Sequence, residues 1–282
     1  MAEQPLYIAL VGGSGFIGRS LSRALSQRGH RVRIIARHKP AELEAGEDFV
    51  ASDIATPAAL TAALKGCDVV VNLVAILAER GTSFDTVIHQ GARHVAQAAQ
   101  TAGLKHVVYV SALGANAASP SAYARAKAHA EDAVRTVFPQ STVIRPSLVL
   151  GHGGGFSQQM ELLTRYAPVM MMPGYGRTRF QPIECQALAE LIADACTQAA
   201  LQGQIVNAAG PDVLSFRQLA GRELSRLNRK RLLVPLPWWL TWAVAYTMRA
   251  VDKLTCYRLI PAWLLVTPDQ VHLLQQDNVV NS

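Results

Sequence analysis

The sequence predicts an α/β fold, a doubly wound parallel sheet with a smaller C-terminal lobe. Three observations predict it. Short apolar runs alternate with helical stretches over the first 150 residues, a glycine-rich turn directly follows the first apolar run, and the rhythm changes at a second glycine cluster beginning at Gly151. With 282 residues, 50% of them hydrophobic and 17% charged, the chain can bury roughly three quarters of its unfolded surface without staples. Cys67, Cys185, Cys196 and Cys256 form no CxxC pair, so neither a disulfide framework nor a metal site is expected.

The candidate strands are residues 7–11, 32–36, 49–51, 69–74, 107–111 and 142–149. Between the first two, Phe16, Ile17, Leu21, Ala24 and Leu25 recur at helical spacing until Gly29, a C-terminal stop. Val87, Gly91, Val95, Ala98 and Ala99 line one face of a second crossover helix that ends at Gly103. Residues 1–150 therefore read as a dinucleotide-binding domain and 151–282 as a smaller substrate or partner lobe, with a strand near 204–209 returning to the sheet. Within the lobe, residues 170–176 read as a Met-Pro-Gly loop. No basic, apolar leader precedes the first strand, so the expected compartment is cytoplasmic.

Gly12, Gly13, Ser14, Gly15, Phe16, Ile17 and Gly18 follow the first strand and open the first helix. Glycines at this spacing let the backbone turn tightly and approach a pyrophosphate, while the helix N-terminus offers N–H groups to an anion. The motif predicts a Rossmann-type site for a nicotinamide dinucleotide. An NAD site usually carries a carboxylate after the second strand, on the ribose hydroxyls. Here that place holds Arg37, His38 and Lys39, which suit a 2′-phosphate, so NADP(H) is expected over NAD(H). Asp53 and Ile54, after the third strand, are placed to meet the adenine edge, although an Asp in a loop is more often a turn residue.

Ser111 ends the fifth strand, and Tyr123 and Lys127 follow at YxxxK spacing. On a helix that spacing sets phenol and ammonium on one face, where the cation would lower a tyrosine pKa normally near about 10. A tyrosine so tuned can exchange a proton with a carbonyl or alcohol while nicotinamide exchanges hydride.

Together GGSGFIG, Ser111, the Tyr123/Lys127 pair and Arg145-Pro146 resemble an atypical or extended short-chain dehydrogenase/reductase. More of the chain, through residues 69–77, 143–147, 180–183, 267–271 and 277–280, resembles the nucleotide-binding accessory subunit of respiratory complex I and its bacterial relatives. The resemblance implies a domain that holds NADP(H), with Lys127 on the ribose, Leu73 and Ala75 along the cofactor, and Pro146 near the nicotinamide. It also implies an accessory or assembly role at complex I, or a link to quinone metabolism, ahead of an active NADP-dependent reductase, dehydrogenase or epimerase. The chain departs from the family at Glu184-Cys185-Gln186, in place of an aspartate-containing turn, and at His152 with its glycines, in place of a more acidic loop.

Residues 232–248 carry no charge and hold three of the four tryptophans. They are too short and too proline-broken for a membrane span; lobe core or a partner contact is expected first, and a peripheral contact at the inner face of a membrane second. The basic run 217–231 holds Arg217, Arg222, Arg226, Arg229, Lys230 and Arg231 against Glu223 alone. Without interleaved aromatics it reads as a solvated helix face, and a nucleic-acid partner is not expected.

Overall fold

A run such as Val69-Val70-Val71 cannot leave either face of a strand in water, and the apolar runs of this kind form the centre of a parallel sheet. The computed structural model describes residues 4–40, 42–44, 46–261 and 264–280. In chain order the first elements are β1 (Tyr7–Val11), α1 (Phe16–Gln27), β2 (Arg31–Ala36), β3 (Glu47–Ala51), α2 (Pro57–Leu64) and β4 (Val69–Asn72). A π-helical turn, Asp85–Gln90, runs into α3 (Gly91–Thr101), followed by β5 (His106–Val110), α4 (Ala122–Val137), β6 (Thr142–Pro146) and β7 (Val149–Leu150). Then come α5 (Gly155–Tyr166), β8 (Val169–Pro173), β9 (Arg179–Phe180), β10 (Ile183–Glu184), α6 (Cys185–Thr197) and β11 (Ile205–Ala208). The chain continues through β12 (Leu214–Ser215), α7 (Phe216–Arg226), β13 (Leu232–Leu236), α8 (Trp238–Leu254) and α9 (Pro268–Leu274).

The chain divides into two units. The first holds residues 1–118, 125–146 and 185–208, and the second holds 119–124, 147–184 and 209–282. The sequence suggested one boundary near residue 150, with only the strand near 204–209 returning. In the structure α6 stays with that strand, because Leu188, Ala189, Ile192 and Ala193 are fully buried and α6 packs on α1. Arg28 at the end of α1 adds a fork to Glu190 at 2.6 Å and Asp194 at 2.7 Å, one turn apart on α6.

The first unit is built on a seven-stranded parallel sheet of order β11-β6-β5-β4-β1-β2-β3. Its middle strands are buried from end to end, β4 and β5 without exception. Gly29 and Gly103 end α1 and α3 in the left-handed region, at φ 82° and 74°, as their positions in the sequence predict. Two strands stop earlier than expected. The run 69–74 ends at Asn72, whose Oδ1 accepts the Val74 N–H at 3.1 Å and turns the chain. The run 142–149 divides after Pro146: Ser147 donates to Asn278, and Val149–Leu150 pairs with Ile183–Glu184 in a separate two-stranded sheet.

In the second unit β8 pairs in parallel with β13, and α5 packs against α7. Residues 170–173, expected in a loop, belong to this strand pair. The methionines alternate, Met170 and Met172 joining Met160, Ala220 and Leu224 in a core while Met171 stays exposed. The uncharged run 232–248 divides at Pro237 into β13 and α8. Trp242 on α8 meets His272 on α9 edge-on at 4.7 Å. No helix among the described residues is long and apolar enough to cross a membrane. The first three residues, on which part of the no-leader reading rests, lie outside the described residues.

Candidate functional site

The predicted dinucleotide residues, from Gly12 to Pro146, lie in the first unit at or just beyond the carboxyl ends of its strands, where open α/β sheets take their ligands. The turn after β1 is held by the Gly12 N–H, which donates to the Ile35 carbonyl at 2.8 Å, and by Gly12 itself at φ 83°. Gly18 faces the loop from inside α1. A Cβ there would stand 2.3 Å from the Gly13 carbonyl oxygen, so only glycine lets the helix approach so closely. Gly15 caps α1 with no side-chain hydrogen bond, and the first turn holds no acidic residue. No side chain caps the first N–H groups of α1, and a pyrophosphate could accept from them.

At the end of β2, Arg37, His38 and Lys39 are all exposed, and no carboxylate stands among them. Asp53 Oδ1 accepts the Ala55 N–H at 2.9 Å, the turn role an Asp in a loop usually has. Ile54 lies over Gly91, where a Cβ would be 2.2 Å from its Cδ1, so the Ile54 side chain is held against α3. Beyond β4, Leu73 is half-buried and Ala75 exposed. Pro146, buried, closes β6.

Ser111 and Lys127 are brought together at the end of β5. Lys127 is only 1% exposed, and its Nζ donates to the Val110 carbonyl at 2.9 Å and stands 5.1 Å from the centre of the Tyr109 ring. Burial pulls its pKa down to about 7, against the opposing charge of Glu131 one turn along α4. The buried Ser111 hydroxyl donates to Glu131, and Arg145 grips the same carboxylate with Nε at 2.9 Å and Nη2 at 2.5 Å. Glu131 was not read from the sequence; a YxxxKxxxE repeat on one helix face is the signal that could have found it.

Tyr123 lies in the part of α4 that belongs to the second unit. There the Asp269 carboxylate accepts from the Ser121 hydroxyl at 2.9 Å, from Ala122 N–H at 2.5 Å and, more weakly, from Tyr123 N–H at 3.4 Å. Burial, then the Asp269 charge, push the Tyr123 phenol up to about 12. The sequence led us to expect a lowered value. Burial reverses that expectation, because it disfavours the phenolate and takes from Lys127 much of its charge near neutral pH.

A sheet of this order with a glycine turn after β1 and an uncapped helix behind it defines a dinucleotide-binding Rossmann protein of the short-chain dehydrogenase/reductase type. The chain belongs to the NAD(P)H-binding family, whose model matches residues 12–162. It is 36% identical over 169 residues to the ceramide reductase of Caulobacter vibrioides, covering 58% of this chain and 52% of that protein. It is 27% identical over 281 residues to subunit 9 of the mitochondrial NADH dehydrogenase [ubiquinone] 1 alpha subcomplex of Arabidopsis thaliana, covering 96% of this chain and 70% of that one. The chain thus spans about half the length of the first relative. Among solved structures, the dTDP-glucose 4,6-dehydratase DesIV of Streptomyces venezuelae superposes with a TM-score of 0.71 at 20% identity, over 82% of this chain and 84% of that one.

Proposed function

We propose that the protein holds NADP(H) at the β1–α1 turn and serves as an accessory or assembly factor linked to respiratory complex I or to quinone metabolism, with nucleotide binding as a structural rather than a turnover function. In this reading the first N–H groups of α1 take the pyrophosphate, and Arg37 and His38 take the 2′-phosphate. Asp53 and Ile54 border the adenine, Leu73 and Ala75 run along the cofactor, Lys127 meets the ribose, and Pro146 flanks the nicotinamide. The observation that carries the reading is the state of the Ser111/Tyr123/Lys127 set. The serine hydroxyl is committed to Glu131, and the phenol is raised to about 12 beside a lysine that burial leaves only partly charged near pH 7, so the tyrosine is not tuned toward the phenolate that proton exchange near pH 7 would use. The likeness along nearly the whole chain to a complex I subunit supports the same role.

A second reading is an NADP-dependent reductase of a carbonyl substrate. It is favoured by the 36% identity to a ceramide reductase over a stretch of 169 residues. Bound NADP(H) would supply hydride there, and Tyr123 would be the proton donor. Either role suits a peripheral contact at the inner face of a membrane through residues 232–248, since Trp239 is 71% exposed and Tyr246 61% exposed, with Arg249 and Lys253 on the same helix.

The test is to identify the nucleotide that copurifies with the protein and to compare wild type with Tyr123→Phe. We expect both to carry NADP(H) and both to restore complex I activity in a strain lacking the gene. Carbonyl reduction by the wild type that disappears in Tyr123→Phe, with nucleotide retained, would instead establish the reductase.

A further inference from the structure

β3 is the edge strand of the seven-stranded sheet, and the chain stays bonded to β2 as far as Ser52, whose N–H donates to the Ala36 carbonyl at 3.1 Å. The turn that follows is folded on itself by two local bonds. Asp53 Oδ1 takes the Ala55 N–H at 2.9 Å, and the Asp53 carbonyl takes the Thr56 N–H at 3.0 Å. Neither bond fixes the turn to the rest of the unit.

Two residues of α3 do that from outside, three apart on one helix face. Gly91 receives the Ile54 side chain. A Cβ there would stand 2.2 Å from Ile54 Cδ1 and 2.6 Å from Cγ1, so the missing side chain is what lets the isoleucine rest against the helix. His94 Nδ1 lies 3.0 Å from the Ile54 carbonyl oxygen. A carbonyl can only accept, so this nitrogen carries the proton and donates. One helix thus holds both the side chain and the main chain of Ile54, just where the π-helical turn Asp85–Gln90 passes into α3.

We infer that His94 is a positioning residue of the dinucleotide site: by donating from Nδ1 to the Ile54 carbonyl it fixes the Asp53–Ile54 turn, and with it the direction of the exposed Asp53 carboxylate toward the adenine amino group. The inference rests on the reading that Asp53 and Ile54 border the adenine. His94 acts through Ile54 and is given no contact with the nucleotide. A turn already held needs no ordering when the ligand arrives, and the conformational entropy so spared appears as affinity for the base end of the ligand.

Calorimetry on the full chain tests it, with NADPH and with deamino-NADPH, in which hypoxanthine replaces adenine. Wild type should bind NADPH about tenfold more tightly than the analogue, which lacks the amino group. His94→Ala should weaken NADPH by about three- to tenfold and bring the two affinities together. His94→Asn, whose amide N–H stands where Nδ1–H stood, should restore both the affinity and the discrimination. Gly91→Ala displaces the same turn from its other contact and should reproduce the His94→Ala pattern with the histidine in place. A wild type that binds the two nucleotides alike overturns the inference, and so does a loss that His94→Asn does not repair. A general loosening of the fold would weaken both nucleotides together in His94→Ala and Gly91→Ala and leave their ratio unchanged, which also overturns it. A wild type that binds neither nucleotide ends the dinucleotide reading and this inference with it, whereas NADPH binding indifferent to His94 ends this inference alone.

Discussion

The Asp269 carboxylate accepts the Ala122 main-chain N–H at 2.5 Å, so a residue from the first turn of α9 caps the helix that carries the YxxxK pair. The same carboxylate takes the Ser121 hydroxyl, whose oxygen in turn accepts the Ala124 N–H at 3.2 Å. Three of the four N–H groups that a helix start leaves without partners are thus served through one acid. Its charge also stands among the causes that hold the Tyr123 phenol up.

Asp269→Ala should therefore lower stability by about 1–2 kcal/mol, as the loss of a helix cap does. Asp269→Asn keeps an acceptor and removes the charge. Its Tyr123 should ionise at lower pH than in wild type, read as the tyrosinate absorbance difference against Tyr123→Phe. Superimposed titration curves would show that the Asp269 charge does not reach the phenol.

Glu131 is 3% exposed and holds both Ser111 and Arg145. Removing it in Glu131→Ala leaves a buried hydroxyl and a partly buried guanidinium without their acceptor, a loss of about 3 kcal/mol. The urea midpoint should fall accordingly, and an unchanged midpoint would mean that water replaces the carboxylate without cost.

Lys127 gives the protein a pH dependence whose sign follows from its displaced pKa. The folded value is about 7 and the ordinary one 10.5, so between them the unfolded chain binds more protons than the folded chain. Stability should then rise with pH from about 7 toward 10, by at most about 1.4 kcal/mol per pH unit. Lys127→Met should flatten that slope. A wild type whose stability falls between pH 7 and 9, relative to the variant, would show that the ammonium is kept charged by its surroundings.

The glycine turn is open to a steric test. Gly18→Ala places a Cβ 2.3 Å from the Gly13 carbonyl oxygen and should abolish dinucleotide binding or folding. Gly221→Ala, in α7 with nothing within 4 Å, should raise stability by up to about 1 kcal/mol. Thermal melts of the two variants, with and without NADPH, separate the outcomes.

The glycine turn, the basic end of β2 and the YxxxK pair were legible in the sequence because each is local: strand, turn and helix start lie within a dozen residues of one another. The strand ends were less so. Pro146 and Ser147 look like the interior of an apolar run, and only the contact of Ser147 with Asn278, 131 residues away, shows why the strand divides there. Asp269 stood in the sequence as part of a tail motif, yet its acceptors' partners lie 146 to 148 residues away. Met170 to Met172 read in the sequence as part of a loop; the alternation of a strand became visible only once β13 was paired beside it. The displaced pKa values of Tyr123 and Lys127 depend on burial, which spacing alone does not report.

The most direct test of the account is calorimetric titration of NADPH and NADH into wild type and Arg37→Ala. The account predicts one NADPH per chain, bound more tightly than NADH. It also predicts a loss of about 1.5–3 kcal/mol for NADPH alone in the variant, or roughly tenfold to a hundredfold in affinity. Absence of binding by either nucleotide at saturating concentration would contradict the dinucleotide site itself, and equal affinities untouched by Arg37→Ala would contradict its preference for the 2′-phosphate.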